Sequence, residues 1–425
     1  MKKIIALLLT FVISTSFFVS CGDGSISTDG SKTTDPNNDA APVTDLWDGS
    51  AASGFASGDG TENAPYKIQT AEELAFLAKS VNEGTSYSGK YLILTNDIDL
   101  NNLEWTPIGN GKYAFEGNFD GNGRTVDKLN VCNALSCDVE LDEDYTIIRG
   151  VAGLFGFCKN VIICDLNISN AFISIDNLAE YDSLSVGTLV ARAESNSYVK
   201  ISGIKISSSS LAVSNSKTVT VNPGEPSMYL GGVIGDVVNN ASAEFNVSKV
   251  QSENVSIMYG RNYREGNCIG GIIGDIYNRS NFECSDFASY FTTEAPPYPE
   301  KCFYFGAFGY IYNRGDVKLS NGFSKLSIDK KEPFGYVAQG EHKWNVIVGC
   351  ARHLTDTASY NFENLFGFIE AKNDVGVEYA YGLYFLSESG KFNEDNCIGC
   401  INLPEDHGLD RDVWDLDDLS APKLK

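Results

Sequence analysis

The chain has 425 residues, with 32 Lys+Arg against 56 Asp+Glu for a net charge of −24, and 43% of its residues are hydrophobic. That hydrophobic content suffices for a large core and excludes a natively disordered chain. The acidic surplus repels phosphates, and with no local basic patch in the sequence it excludes nucleic acid as an expected partner.

Lys2 and Lys3 precede a mostly apolar run, Ile4 to Ser20, that ends at Phe18-Val19-Ser20-Cys21. This is signal-peptide anatomy over residues 1–20, too short a run to favour a membrane anchor, which needs about 20 apolar residues. The end of the run resembles the lipobox of bacterial lipoproteins, with Phe18 in place of the usual aliphatic. The resemblance implies an acylated Cys21 as mature N-terminus and outer-membrane lipid as its partner. Residues 21–46 are rich in Gly, Ser, Thr, Asp and Pro without apolar periodicity, so a flexible tether is expected there.

Residues 47–150 are expected to form an N-terminal cap and the first strands. Extended helical periodicity is clear at Thr70 to Gly84: Thr70 can cap, Glu73 can reach back, Leu74, Leu77, Ala78 and Val81 form one apolar stripe, and Gly84 supplies the stop. Asp120-Gly121-Asn122-Gly123 reads as a tight turn between Phe119 and Val126, since it lacks the spacing and closing Glu of a calcium loop.

From residue 151 to 425 internal repeats organise the chain. GGVIGDVVNN at Gly231 to Asn240 returns as GGIIGDIYNR at Gly270 to Arg279, and GDIYNRSNFECSD at Gly274 to Asp286 returns as GYIYNRGDVKLSN at Gly309 to Asn321. The signature glycines are Gly153, Gly156, Gly187, Gly232, Gly235, Gly271, Gly274, Gly306 and Gly309. Alignment gives an apolar column, Cys158, Val237, Ile276, Ile311, Val337 and Ile369, and a polar column, Asn160, Asn239, Asn278 and Asn313, followed by Gln339. Asn tolerates a left-handed backbone and its amide can bond to the next copy, so this column should turn the chain and lock adjacent layers. Short alternating runs between the signatures, such as Val199 to Ser202 and Phe245 to Val247, read as strands.

Together GDGTENAPYKIQTAEELAFLAKSVNEG, YLILTNDIDLNNLEWTPIG, FEGNFDGNGRTVDKLNV, GLFG and the GGVIG and GGIIG copies resemble the GLUG-motif surface proteins of bacteria, commonly of Bacteroidetes type. VWDLDDLSAPKLK is similar to the closing strand of such chains. The resemblance implies an all-β fold, a right-handed single-stranded parallel β-helix with a short capping helix, on an exported protein. About ten layers at roughly 4.8 Å each would make a rod of about 50 Å. Chemistry does not follow from that scaffold.

Ten cysteines besides Cys21 permit disulfides in an exported chain, and Cys132 with Cys137 stands first by sequence nearness. The repeat columns instead make Cys158 and Cys284 small buried hydrophobes, Cys284 aligning with Leu319. Cys397 and Cys400 form a CxxC explained by descent from NCIGGI, with no second CxxC to complete a zinc site. His342, His353 and His407 fall in no catalytic motif. The acids at Asp138, Glu140, Asp142, Glu143 and Asp144, and at Asp415, Asp417 and Asp418, read as solvated faces before they read as calcium ligands.

No cofactor or metal is expected. The aromatics Tyr259, Tyr263, Tyr290, Phe291 and Tyr298 are the candidate ligand-binding residues, able to stack on an extended glycan or protein, or else to pack inward beneath their own loops. The expected function is a non-catalytic binding or adhesion lipoprotein of the outer membrane, exposed at the cell surface. A polysaccharide-degrading lyase or hydrolase and a passive structural module are the alternatives. A cleft lined by two carboxylates, or by Arg and Lys beside Asp, would favour the enzyme; an aromatic shelf would favour binding.

Overall fold

The computed structural model describes residues 46–142, 145–175, 181, 183–213, 228–259, 267–294, 303–329, 343–344, 347–353, 355, 358–371, 414–415 and 423–425. The chain divides into two units, Met1–Asp45 and Leu46–Lys425, and the described residues belong to the second. The segments expected as signal peptide and tether lie outside them up to residue 45, Cys21 included, as do Cys397 and Cys400.

The second unit is nearly all β, with one helix among the described residues. That helix, α1 (Ala71–Asn82), begins where the Thr70 hydroxyl accepts from the Glu73 amide, and ends at Glu83 before Gly84, whose φ is +116°. Glu73 reaches back further than its own cap: its carboxylate accepts from the Gln69 amide at 2.6 Å and the Ala56 amide at 2.8 Å. It thereby ties the first turn to the segment before it. The apolar stripe Leu74, Leu77, Ala78 and Val81 is buried.

Two large sheets, mostly parallel, follow. In the first, each strand pairs with its counterpart one repeat later: Ile162–Ser169 with Tyr198–Ser207, then Glu244–Tyr259, Asn281–Glu294, Asp316–Asp329 and Ser359–Ala371. Parallel neighbours at such long sequence separation put equivalent residues of successive repeats side by side. The inward column Phe119, Ile163, Ile201, Val247, Cys284, Leu319, Phe362 is accordingly in register and buried throughout.

The second sheet is built likewise. Tyr145–Ala152 pairs with Ser183–Gly187, which leads to Met228–Gly231, Asn267–Asn278 and Phe303–Asn313. The only antiparallel strand pairs among the described residues are Leu135–Asp142 with Tyr145–Ala152 and Trp414–Asp415 with Lys423–Leu424. The acids of the first pair's leading strand have side chains outside the described residues.

The main core lies between the sheets in one large cluster, with small separate clusters at Tyr229, Cys268 and Tyr310 and at Cys137, Val151 and Ala191. Phe287 of the first sheet meets Phe308 of the second edge-on at 5.0 Å, and Phe119 meets Phe155 at 5.4 Å in the same manner. Truncating such a ring to Ala costs about 3–5 kcal/mol. The signature glycines answer to close backbone approach: a Cβ on Gly274 would sit 2.6 Å from the Gly235 carbonyl oxygen, and one on Gly309 only 2.4 Å from that of Gly274.

Asp120 to Gly123 is a turn, with Asn122 and Gly123 at φ +51° and +70°, but it does not close a hairpin. The strands on either side, Asn118–Asp120 and Thr125–Asp127, both pair with the single strand Ile162–Ser169. It is a corner within one continuous course of the chain.

Candidate functional site

The outward face of the second sheet carries the densest chemistry among the described residues, in two rows set by strand register and a pair of arginines at the corner beyond them. Arg192, Asp236, Asp275 and Tyr310 stand side by side in the first, and Glu194, Val238, Tyr277 and Tyr312 in the second. Between the second row and the sheet corner the inward positions are Asn239, Asn278 and Asn313. Arg279 and Arg314 occupy the corner itself, their amides donating to the Asn239 and Asn278 carbonyls at 2.8 Å.

The first row is buried and charged. One oxygen of Asp236 accepts from both Arg149 and Arg192, and Arg149 also donates from Nε to the Ser183 hydroxyl at 2.9 Å. The Arg149 guanidinium lies 4.6 Å from the centroid of the Tyr229 ring. Burial, the largest single influence, would lower the Arg149 pKa, but Asp236 together with Tyr229, Cys137 and Asp275 outweighs it and the group is held charged; the Tyr229 hydroxyl is pushed up by burial and stays neutral. Two cations share one carboxylate, with Asp275 a further acid acting on Arg149, and removing the shared carboxylate would leave buried charge at a cost of about 3–5 kcal/mol.

Exposure rises along the strands. Tyr277 and Tyr312 are half-buried neighbours with ring centroids 6.2 Å apart, and Tyr310 lies 4.3 Å from Tyr312 on the same strand. Arg279 and Arg314 are exposed, with guanidinium carbons 4.9 Å and 5.8 Å from the Tyr277 centroid. Arg279 also donates to the Tyr277 hydroxyl at 3.1 Å. Neither arginine forms an ion pair with a carboxylate among the described residues.

The Asn column supports this shelf from beneath. Asn239 Nδ2 donates to Asn278 Oδ1 at 2.8 Å, and Asn278 Nδ2 to Asn313 Oδ1 at 2.9 Å. Each also donates to a backbone carbonyl that opens the next repeat's strand: Asn281, Asp316 and, from Asn313, Ser359. In the preceding repeat Ser195 makes the equivalent bond to Glu244 at 2.9 Å, leaving Asn239 Oδ1 without a donor. The left-handed backbone expected for this column occurs only at Asn160, φ +50°. The other three keep strand backbone, so their side chains alone do the locking.

The candidate aromatics are corrected by burial. Tyr259 and Phe291 are 8% and 2% exposed and belong to the core, Tyr259 facing Phe305 at 6.1 Å. The alternation Val255, Ile257, Tyr259 keeps all three inward, which places Tyr259 in a strand and not in a loop. Tyr290 is half-buried, 5.4 Å from Phe323. Tyr263 and Tyr298 lie outside the described residues. Tyr277 and Tyr312 were missed, although the repeated Tyr-Asn-Arg carried the signal: once Asn278 and Asn313 are inward, alternation turns both flanking residues outward.

Asp120, Cys164 and Asp165 bring ligand atoms within 4.8 Å of one another. Partial burial, then the nearby Asp120 and Asp165 carboxylates, push the Cys164 thiol up to about 12 and keep it protonated. Cys158 and Cys284 are fully buried thiols.

No family model matches the chain. Over 128 residues it is 29% identical to a protein of Evansella cellulosilytica named "Putative Gly-rich membrane protein"; the match takes in 29% of this chain and 13% of that protein. No helix among the described residues is long and apolar enough to cross a membrane. A solved structure, a "putative immunoglobulin A1 protease" from Bacteroides ovatus, aligns with a TM-score of 0.47 and 17% identity, covering 87% of this chain and 95% of that one. The name is that of an enzyme, and the expectation that this chain is non-catalytic is withdrawn against it; a likeness of this degree transfers no activity.

Proposed function

We propose that the chain is an exported lipoprotein, held at the outer membrane through Cys21, whose Tyr277–Tyr312 shelf captures an extended glycan at the cell surface. The repeats are read as GLUG-type coils of a right-handed parallel β-helix, with residues 47–150 as cap and first coils and 151–425 as the repeat body. The observation that carries the binding reading is the shelf: two half-exposed tyrosines on adjacent strands, 6.2 Å apart, with Arg279 and Arg314 beside them. Rings in this arrangement present apolar faces for sugar stacking and hydroxyls for hydrogen bonding, and their strands hold them rigidly.

The test is retention of the purified protein on an array of host and dietary glycans, with Tyr277→Ala and Tyr312→Ala beside the parent. Selective retention that falls about tenfold in each variant supports the reading, the loss expected for about 1.4 kcal/mol of stacking. Retention unchanged in both variants, or no retention by the parent, overturns it.

A further inference from the structure

Resting on that glycan-binding reading, we infer that the shelf selects acidic sugar chains, with the exposed guanidinium groups of Arg279 and Arg314 taking a ligand carboxylate beside the Tyr277 ring. Both guanidiniums approach one aromatic ring, at 4.9 Å and 5.8 Å. Two like charges gathered at one surface point repel each other, and a carboxylate is the group that relieves them. Yet in a chain with 56 acidic residues neither has acquired a carboxylate partner among the described residues. The nearest acid in sequence, Asp316, is engaged by the Ser359 hydroxyl.

The arrangement is also duplicated, not incidental. Tyr-Asn-Arg occurs at residues 277–279 and again at 312–314, and register sets the second copy beside the first. The inward Asn of each copy is hydrogen-bonded to the other, so the outward arginines are fixed to a rigid ladder. Planar guanidinium forks match carboxylates in two parallel bonds, which a lysine pair would not do.

The net charge of −24 argues against a polyanion only at long range. At physiological ionic strength the screening length is about 8 Å, so distant acids are muted while contact with the two arginines is not. The expected ligand is therefore a uronic or sialic acid within an otherwise neutral chain, where one carboxylate meets the arginines and neighbouring rings lie on Tyr277 and Tyr312.

The experiment compares binding of the full-length protein to a uronate-containing oligosaccharide and to the same oligosaccharide after carboxyl reduction, at constant salt. The parent should bind the acidic form about tenfold more tightly. Arg279→Gln combined with Arg314→Gln should abolish that preference while retaining the weaker binding of the reduced sugar. The Arg279→Lys, Arg314→Lys variant, which keeps charge and loses the forks, should fall between. Equal binding of the two sugars by the parent, or an undiminished preference in the Gln variant, overturns acid selection and leaves glycan capture standing. Failure to bind either sugar overturns both.

Discussion

At the scale of single residues, the first sheet exposes a cost that the chain carries repeatedly. Just after the inward column, Asp165, Gly203, Lys249, Asp286 and Asn321 take equivalent positions in five successive strands, all with φ between +52° and +68°. Gly, Asn and Asp tolerate that backbone; Lys does not, and an ordinary L-residue in this region is strained by about 1–2 kcal/mol. Lys249 is exposed and makes no ion pair among the described residues, so no charge pairing there offsets the strain. Lys249→Asn should raise stability by about 1 kcal/mol, read as a higher urea midpoint at unchanged slope. A lower midpoint would mean that the lysine has a partner the strain argument omits.

At the scale of elements, the Asn ladder decides how neighbouring repeats are joined. Asn278 stands in its middle: its Oδ1 accepts from Asn239 and from the Ser280 amide, and its Nδ2 donates to Asn313 and to the Asp316 carbonyl. Removing it takes one of two partners from each of Asn239 Nδ2 and Asn313 Oδ1, which keep the Asn281 carbonyl and the Gly315 amide, and breaks the bonds to the Ser280 amide and the Asp316 carbonyl as well; a buried group left unsatisfied costs about 1–3 kcal/mol. Asn278→Ala should therefore destabilise by about 3 kcal/mol or more, whereas an exposed change such as Lys249→Ala should stay within about 1 kcal/mol; equal effects from the two would refute the ladder's role. This element was legible beforehand because one residue type recurred at one offset from a signature glycine. The strand assignments at Val199 to Ser202 and Phe245 to Val247 were legible for the same reason, period-two alternation between turns. Tyr259 and Phe291 misled because aromatic content was weighed without following the alternation that carries both inward. The cluster of Arg149, Arg192 and Asp236 had no local signature, since its members lie 43 and 44 residues apart in sequence and meet only through parallel register.

At the scale of the whole folded unit, the continuous core fixes the state of its thiols. Cys158 packs in the second sheet and Cys284 in the first, and burial raises both well above an ordinary cysteine. A raised pKa means the folded protein holds its thiol protons where the unfolded chain, ionising near pH 9, gives them up. Below that pH both states are protonated and the thiols leave stability unchanged; above it the unfolded state binds fewer protons, so stability falls as pH rises. The slope approaches about 1.4 kcal/mol per pH unit for each thiol. Cys164, held at about 12, adds to the same slope, while Tyr229 begins to contribute only as the pH nears its unfolded value of about 10. Denaturant midpoints measured at pH 8, 9 and 10 should decline over the last step, and the Cys158→Val, Cys284→Val variant should decline less. A thiol reagent at pH 8.5 should leave both cysteines unmodified until denaturant is added. Rapid labelling of either in the folded protein, or identical pH slopes for parent and variant, would show that the core does not seal them.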